Sequence, residues 1–303
     1  MEVLVIGYGS IGKRHVQVLE RMKLSVSIVS RHANERNHFY RSITDAIANS
    51  NFDYIVIANE TSEHLPLLKQ LKAHGYQGKI LIEKPLFEKN EMIHIDHNNV
   101  YVAYNLRFHP LISKLLNLLE DEKVISVNAY VGQYLPTWRP HKDYRQSYSA
   151  FSEKGGGVIR DLSHELDYLS YLFGEWKFLI SNSGKISDLD IQSEDYCQVI
   201  FETNRSIKVS LELNYLDRIF QRYMTVQTNN RTIRVDFMQN SINCNGNIIA
   251  GDVIDRDYTY QKQHEAILKG SNRLCSFNEG QQILKMIEAI ESSVKQRAWV
   301  INE

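Results

Sequence analysis

The stretch that decides the fold is MEVLVIGYGSIGKRHVQVLE, residues 1–20. A near-continuous apolar run at 3–6 leads straight into GYGSIG, and a helix-forming stretch follows from Lys13. Strand, G-x-G-x-x-G and helix in that order are the context in which such glycines mark a dinucleotide-binding turn. Gly7 permits the tight turn, Gly9 lets the backbone approach a pyrophosphate, and Gly12 lets the helix pack closely on the strand. Ser10 and Ile11 then stand where the helix N-terminus meets an anion.

Outward from this segment, apolar runs recur at 26–29, 54–57, 80–82 and 100–104, with helix candidates at 13–22, 44–49 and 63–74 between them. Runs without alternation are strands covered on both faces, and crossover helices between them make a parallel sheet. After Tyr104 the texture changes. A helix at 110–119 and a long strand at 124–134 precede strands at 196–201, 207–215, 223–228, 232–237 and 241–249, with a closing helix at 278–292. Asn229-Asn230 and Asn245-Gly246 read as hairpin turns needing positive φ. The expected fold is therefore α/β: an N-terminal Rossmann dinucleotide-binding domain over 1–104, then a C-terminal α+β domain over 105–303 with a large open, mostly antiparallel sheet.

Composition narrows the function. At 303 residues, 43% hydrophobic and 23% charged, the chain has the ordinary mixture of a globular protein with room for two cores. A net charge of -1 does not draw it to nucleic acid or an anionic membrane. The three cysteines, Cys197, Cys244 and Cys275, form no CxxC pair, so neither a disulfide framework nor a cysteine zinc site is expected. HIDH at 94–97 reads as solvated surface, and no metal is expected. No apolar run nears the roughly 20 residues of a membrane span, and the chain enters a strand at once, so a cytoplasmic protein is the expectation.

An NAD-binding turn usually has an acid on the ribose some 20 residues on. Here the second strand ends in Ser30, Arg31 and His32, and the first carboxylate is Glu35. A hydroxyl followed by a guanidinium suits a 2′-phosphate, which favours NADP(H) with NAD(H) as the alternative. Asn59, Thr61 and His64 follow the strand ending at Ala58, at the carboxyl edge where such sheets bind ligands, and are candidates for the nicotinamide ribose. Thr61 and Ser62 can equally cap the next helix.

The strand KILIEKPLF places Glu83, Lys84 and Pro85 at its carboxyl end, where an ammonium is costly without a task. This segment resembles the EKP signature of the glucose-fructose oxidoreductase, inositol dehydrogenase and rhizopine-catabolism family, Gfo/Idh/MocA. The resemblance runs over nearly the full length: GYGSIGKRH at 7–15, EKP at 83–85, YNLRF at 104–108, the GGG stretch with DLSHELD, and SFNEGQQILKMIEAIESS at 276–293. It implies that Lys84 contacts substrate and nicotinamide and that Asp161 and His164 complete the site. Many members space that Asp and His four apart; here the gap is three. Leu162, Leu166, Leu169 and Phe173 form the buried stripe of the expected helix, leaving Asp161, His164 and Asp167 on another face.

The implied chemistry is reversible hydride transfer between a secondary alcohol and a nicotinamide. An imidazole titrates near 6.5, which suits His164 as general base, with Asp161 orienting its ring and Lys84 stabilising alkoxide character. In the insert YLPTWRPHKDYRQSYSAFSEKGGG, 134–157, Trp138 and Tyr148 offer stacking faces and Arg139 and Arg145 a grip on carboxylate or phosphate. Asn105 and Arg107 are further substrate-site candidates at the domain junction. WRP, DYR, YSA and DLSHELD are similar to a subgroup associated with surface-sugar pathways, which points to an acidic, nonulosonate-type or nucleotide-linked sugar. Two alternatives compete: a redox-neutral epimerase or glycosidase with tightly held nicotinamide, and a non-catalytic dinucleotide sensor. The open sheet suits a homodimer or homotetramer.

Overall fold

A computed structural model describes residues 1–31, 38–91 and 93–302. In chain order it runs β1 (Glu2–Ile6), α1 (Ser10–Arg21), β2 (Ser25–Val29), β3 (Phe39–Tyr40), α2 (Ile43–Asn49), β4 (Tyr54–Ile57), α3 (His64–Ala73), β5 (Lys79–Ile82) and β6 (Val100–Val102). Then come α4 (Pro110–Leu119), β7 (Val124–Gly132), α5 (Val158–Asp161), α6 (His164–Phe173), β8 (Trp176–Gly184), β9 (Tyr196–Thr203) and β10 (Lys208–Asn214). The rest is β11 (Gln221–Thr228), β12 (Thr232–Asp236), β13 (Ser241–Cys244), β14 (Asn247–Ala250), α7 (Tyr258–Lys269), β15 (Cys275–Ser276), α8 (Phe277–Gln296) and β16 (Val300–Ile301).

The chain divides into two compact units, Met1–Phe108 with Asp255–Leu284, and His109–Ile254 with Lys285–Glu303. The sequence reading assigned all of 105–303 to a second domain. The structure instead returns Asp255–Leu284 to the first unit, because Ile267 and Leu274 pack into the core formed by Val3, Val5, Val16, Leu19, Ile28, Tyr54 and Val56. Each such buried aliphatic side chain contributes about 1.5–3 kcal/mol.

The first unit is a Rossmann-type sheet of order β15-β6-β5-β4-β1-β2-β3, parallel except for β15. Its central strands β1, β4 and β5 are buried almost throughout, as their unbroken Val, Ile and Leu runs require. The switch point of the strand order lies at β1 and β4, so the loops after Ile6, Ile57 and Ile82 open along one edge.

The second unit carries a nine-stranded sheet of order β14-β13-β12-β11-β7-β10-β9-β8-β16. All pairings are antiparallel except β10 with β7. Alternation is clean in β9, where Cys197, Val199 and Phe201 are buried and Gln198 and Ile200 are exposed. The 241–249 run is not one strand but the β13–β14 hairpin, turned by Asn245 (φ 49°) and Gly246 (φ 92°). Asn229-Asn230 also turns a hairpin, but without positive φ at either residue, because Thr228 Oγ1 accepts the N–H groups of Asn230 and Arg231 and closes the bend from the side. Among the described residues no helix is long and apolar enough to cross a membrane.

Candidate functional site

In the first unit the glycine turn has the expected economy of space. Gly7 holds φ 98°, and a Cβ there would stand 2.7 Å from the Ala58 and Asn59 backbone; one on Gly12 would stand 2.0 Å from the Gly7 carbonyl oxygen. Beside Gly9 there is open space within 4 Å. Gly9 is the N-cap of α1, with Lys13 N–H making the first helical bond to its carbonyl, so the N–H groups of Ser10, Ile11 and Gly12 have no acceptor within the helix. Asn59 Oδ1, at the end of β4, is buried with no hydrogen-bond partner. An open approach at Gly9, three helix-terminal donors and an unmet acceptor are what a dinucleotide would engage, so the residues fit one. The chemistry such a dinucleotide brings is a nicotinamide that accepts or returns hydride.

Ser30 and Arg31 stand at the end of β2. Arg31 is 81% exposed and lies 3.3 Å from Glu60, an exposed pair of little energetic weight. His32 and Glu35, which complete the ribose argument, lie outside the described residues. Thr61 sits in a 3₁₀ turn, Thr61–Glu63, that leads into α3 without a side-chain cap.

His64 is a correction. It is fully buried rather than facing a ribose, with Nδ1 at 3.1 Å from both the Pro85 and Leu86 carbonyls and Nε2 at 3.3 Å from the Asn59 carbonyl. Burial lowers its pKa, so the ring is neutral with a single N–H; on Nδ1, where the approaches are shorter, that proton serves the loop after β5, and Nε2 only packs against the Asn59 carbonyl. In that loop the Lys84–Pro85 peptide is cis, and Lys84 is part-exposed at the end of β5.

Arg107 and Asn105 are corrections of the same kind. Arg107, 1% exposed, donates from Nη1 to Glu279 Oε1 at 2.7 Å and to the Leu274 carbonyl at 3.3 Å. Asn105 donates from Nδ2 to Thr259 Oγ1 at 3.0 Å. Both side chains fasten the returning segment of the first unit. Their sequence neighbourhood looks like a substrate edge because the partners that absorb them lie over 150 residues away.

In the second unit the expected continuous helix is broken at Leu162–Ser163. Ser163 N–H reaches Arg160 and Glu165 N–H reaches Leu162, i→i−3 bonds that tighten the chain between α5 and α6. Asp161 thus ends one helix and His164 begins the next. Asp161 is 7% exposed and accepts 2.7 Å hydrogen bonds from the hydroxyls of Tyr148 and Tyr215, one on each oxygen. Tyr148 is therefore tethered by its hydroxyl, with the Arg139 guanidinium 5.6 Å from its ring. Trp138 stands edge-on to Tyr215 at 5.2 Å and donates from Nε1 to the Gln133 carbonyl. Arg145 uses its fork on Asp143, at 2.9 Å from Nε and from Nη2, which occupies the donors that were expected to grip an anion.

The GGG turn before Asp161 rests on an acid. Glu194 Oε1 accepts the N–H of Ile159 at 3.2 Å, and a Cβ on Gly157 (φ 115°) would meet its carboxylate at 2.2 Å. Burial, with Glu291 adding and the Ile159 N–H and Arg160 opposing, pushes the Glu194 pKa from the usual 4.5 up to about 7. Between those values the folded chain holds a proton that the unfolded chain has lost. Stability is fullest below about pH 4.5 and falls as pH rises through 7. Glu194→Gln is expected to remove that slope and raise stability at pH 8 by about 2 kcal/mol in urea unfolding; an unchanged slope would count against it.

Comparison with known proteins agrees with this geometry. The family model for the Gfo/Idh/MocA oxidoreductases, described as an oxidoreductase family with an NAD-binding Rossmann fold, matches residues 1–95. Over those residues the chain is similar to the Gfo/Idh/MocA oxidoreductases. A curated relative, the uncharacterized oxidoreductase sll0816 of Synechocystis sp., is 27% identical over 206 residues. That match takes in 60% of this chain and about half (54%) of the relative's length. Among solved structures, an oxidoreductase of Agrobacterium radiobacter in complex with NAD+, L-tartaric acid and magnesium superposes with TM-score 0.82 at 15% identity, over 99% of this chain and 98% of that one. The WlbA dehydrogenase of Bordetella pertussis, in complex with NADH and UDP-GlcNAcA, superposes with TM-score 0.79 at 17% identity, over 100% and 98%. At these identities the likeness is one of fold.

Sequence reasoning passed over three buried residues behind the loop after β5. His15, His264 and Tyr54 are fully buried and lead in a line of hydrogen bonds to Glu83. A signal existed for His15, since it lies on the buried stripe of α1 with Gly12, Val16 and Leu19. None existed for His264.

Proposed function

We propose that the chain catalyses reversible hydride transfer between NADP(H) and a secondary alcohol of a sugar derivative, as a cytoplasmic enzyme. The observation that carries the reading is the glycine turn at the switch point of the first sheet, with open space at Gly9 and an unmet buried acceptor on Asn59. Gly7, Gly9, Ser10, Ile11, Gly12, Asn59 and Thr61 hold the dinucleotide, and Ser30 and Arg31 take its 2′-phosphate. Lys84 stabilises negative charge on the reacting oxygen, His164 removes or returns the oxygen proton, and Asp161, fixed by two tyrosine hydroxyls, orients the His164 ring. Glu83 keeps a carboxylate beside the Lys84 peptide.

The substrate class proposed is a nucleotide-linked or acidic sugar. Support comes from the WlbA structure, whose ligand is UDP-GlcNAcA, and from Trp138 and Arg139 in the insert before α5. The test is turnover on a panel of free sugars, inositols, UDP-N-acetylhexosamines, UDP-hexuronates and nonulosonates with each dinucleotide. Activity confined to inositols overturns the substrate assignment, and dinucleotide binding without turnover of any member overturns the enzymatic one.

The dinucleotide preference has its own test. Because the Arg31–Glu60 pair is solvent-exposed, the guanidinium is available to a phosphate at small cost. Arg31→Ala is expected to raise the KM for NADP(H) by about tenfold and leave that for NAD(H) within about twofold. Equal effects on the two cofactors would remove Arg31 from the site.

A further inference from the structure

Tyr54, His264 and His15 of the first unit, which the reaction above leaves unused, form a buried line that ends on Glu83. Tyr54 Oη lies 3.0 Å from His264 Nδ1, His264 Nε2 lies 2.9 Å from His15 Nδ1, and His15 Nε2 lies 2.9 Å from Glu83 Oε1. Tyr54, His264 and His15 have no exposed surface, and the Glu83 side chain keeps 12%. They come from β4, α7, α1 and the residue after β5, four separated pieces of chain.

The direction of these bonds follows from the closed end. The Tyr54 hydroxyl is buried, and His264 Nδ1 is the acceptor its hydrogen reaches, so the phenol donates. Burial holds the His264 pKa well below its ordinary value, so that ring is neutral, and with Nδ1 accepting from the phenol its single proton is on Nε2. His264 Nε2–H therefore donates to His15 Nδ1. That nitrogen being an acceptor, the proton of His15 is on Nε2 and is donated to Glu83 Oε1. All three bonds run toward the carboxylate, an arrangement in which each donor strengthens the next.

At the other end, Glu83 Oε2 accepts the backbone N–H of Lys84 at 3.0 Å. Burial opposes the charge on Glu83, but the His15 bond and the Lys84 N–H and ammonium outweigh it, so the pKa is lowered and the carboxylate is ionised. His64 grips the Pro85 and Leu86 carbonyls. The peptide that carries Lys84 is thus held by one histidine directly and by another through an acid. The other titratable groups around the line are Tyr260, edge-on to His15 at 5.4 Å with Arg14 over its ring, Asp257 paired with Arg14, and Tyr76 beside Tyr54 with Asp53 near it.

We propose that Tyr54, His264 and His15 are positioning residues for Lys84, a one-way relay that pins the Glu83 carboxylate and through it the peptide that presents the ammonium. The inference rests on the role given to Lys84 above. It differs from a generic buried polar cluster in requiring a single bond direction and an effect read at residue 84.

The test uses the full-length protein and needs no substrate. ¹⁵N-histidine spectra are expected to show the His264 ring neutral with its proton on Nε2, and the His15 proton that faces Glu83 on Nε2 with none on Nδ1. Tyr54→Phe and His264→Gln are expected to speed hydrogen exchange at the Lys84 amide by about tenfold, with amides of β1 and β4 within about twofold. A proton on Nδ1 of either ring, or an unchanged Lys84 amide in both variants, overturns the relay. The wild-type spectra decide the direction even if a variant fails to fold. On a sugar the wild type turns over, kcat should fall about tenfold in Tyr54→Phe at unchanged dinucleotide Kd, and a fall in dinucleotide affinity alone would overturn the positioning role. Full turnover in Lys84→Ala would instead sink the lysine's chemistry while leaving the spectra to judge the relay.

Discussion

Lys84→Ala is expected to lower turnover by about two to three orders of magnitude while the dinucleotide dissociation constant stays within about threefold. The reason is differential: an ammonium aimed at developing oxygen charge acts in the transition state, whereas the glycine turn binds the dinucleotide in every state. Lys84 follows β5 in a loop whose neighbours are fastened by Glu83 and His64, so its loss leaves the surrounding peptide in place. Steady-state rates together with nucleotide fluorescence titration separate the two effects. Turnover within about threefold of wild type would take Lys84 out of the reaction; lost nucleotide binding would recast it as a binding residue.

The second large effect belongs to Gly12. An added methyl would stand 2.0 Å from the Gly7 carbonyl oxygen and 2.8 Å from its carbon, both backbone atoms that cannot swing aside. Gly7 is itself boxed in by Ala58 and Asn59, so the strain passes into β4. Gly12→Ala is expected to cost about 2–4 kcal/mol of stability and to weaken dinucleotide binding by at least about a hundredfold. Gly9→Ala is the internal comparison. With nothing within 4 Å, it should fold with an unchanged denaturant midpoint and lose affinity only because the methyl enters the space a pyrophosphate would use. Equal stability losses in the two variants would mean that the glycines serve packing alone.

The parts legible in the sequence are those whose signal is local. β1, β4 and β5 announce themselves as unbroken apolar runs, and the glycine turn is read from six consecutive residues. Helix α7 escaped because its buried face is Thr259, Gln263, His264 and Ile267, three polar residues in four, which removes the hydrophobic period. Strand β8 escaped as well, since WKFLISNSG mixes buried and part-exposed positions without regular alternation. At the candidate site, Gly7 has the positive φ and Gly12 the close packing read from the motif, whereas His64, Asn105 and Arg107 turn inward. A buried arginine or histidine is tolerated only where partners meet it, and for Arg107 those partners are Leu274 and Glu279. No window of sequence around residue 107 contains that information.

The discontinuity of the first unit has a consequence for how the protein is made. Its core is open until Ile267 and Leu274 arrive, and Tyr54 and Arg107 stay without His264 and Glu279 until the same segment emerges. Residues 1–108 are translated before the segment that completes their unit: while residues 109 to 254 are being added, their core still lacks Ile267 and Leu274. For this architecture residues 1–108, about a third of the chain, thus stay unfinished until Asp255–Leu284 is made, although they carry the strongest local folding signals.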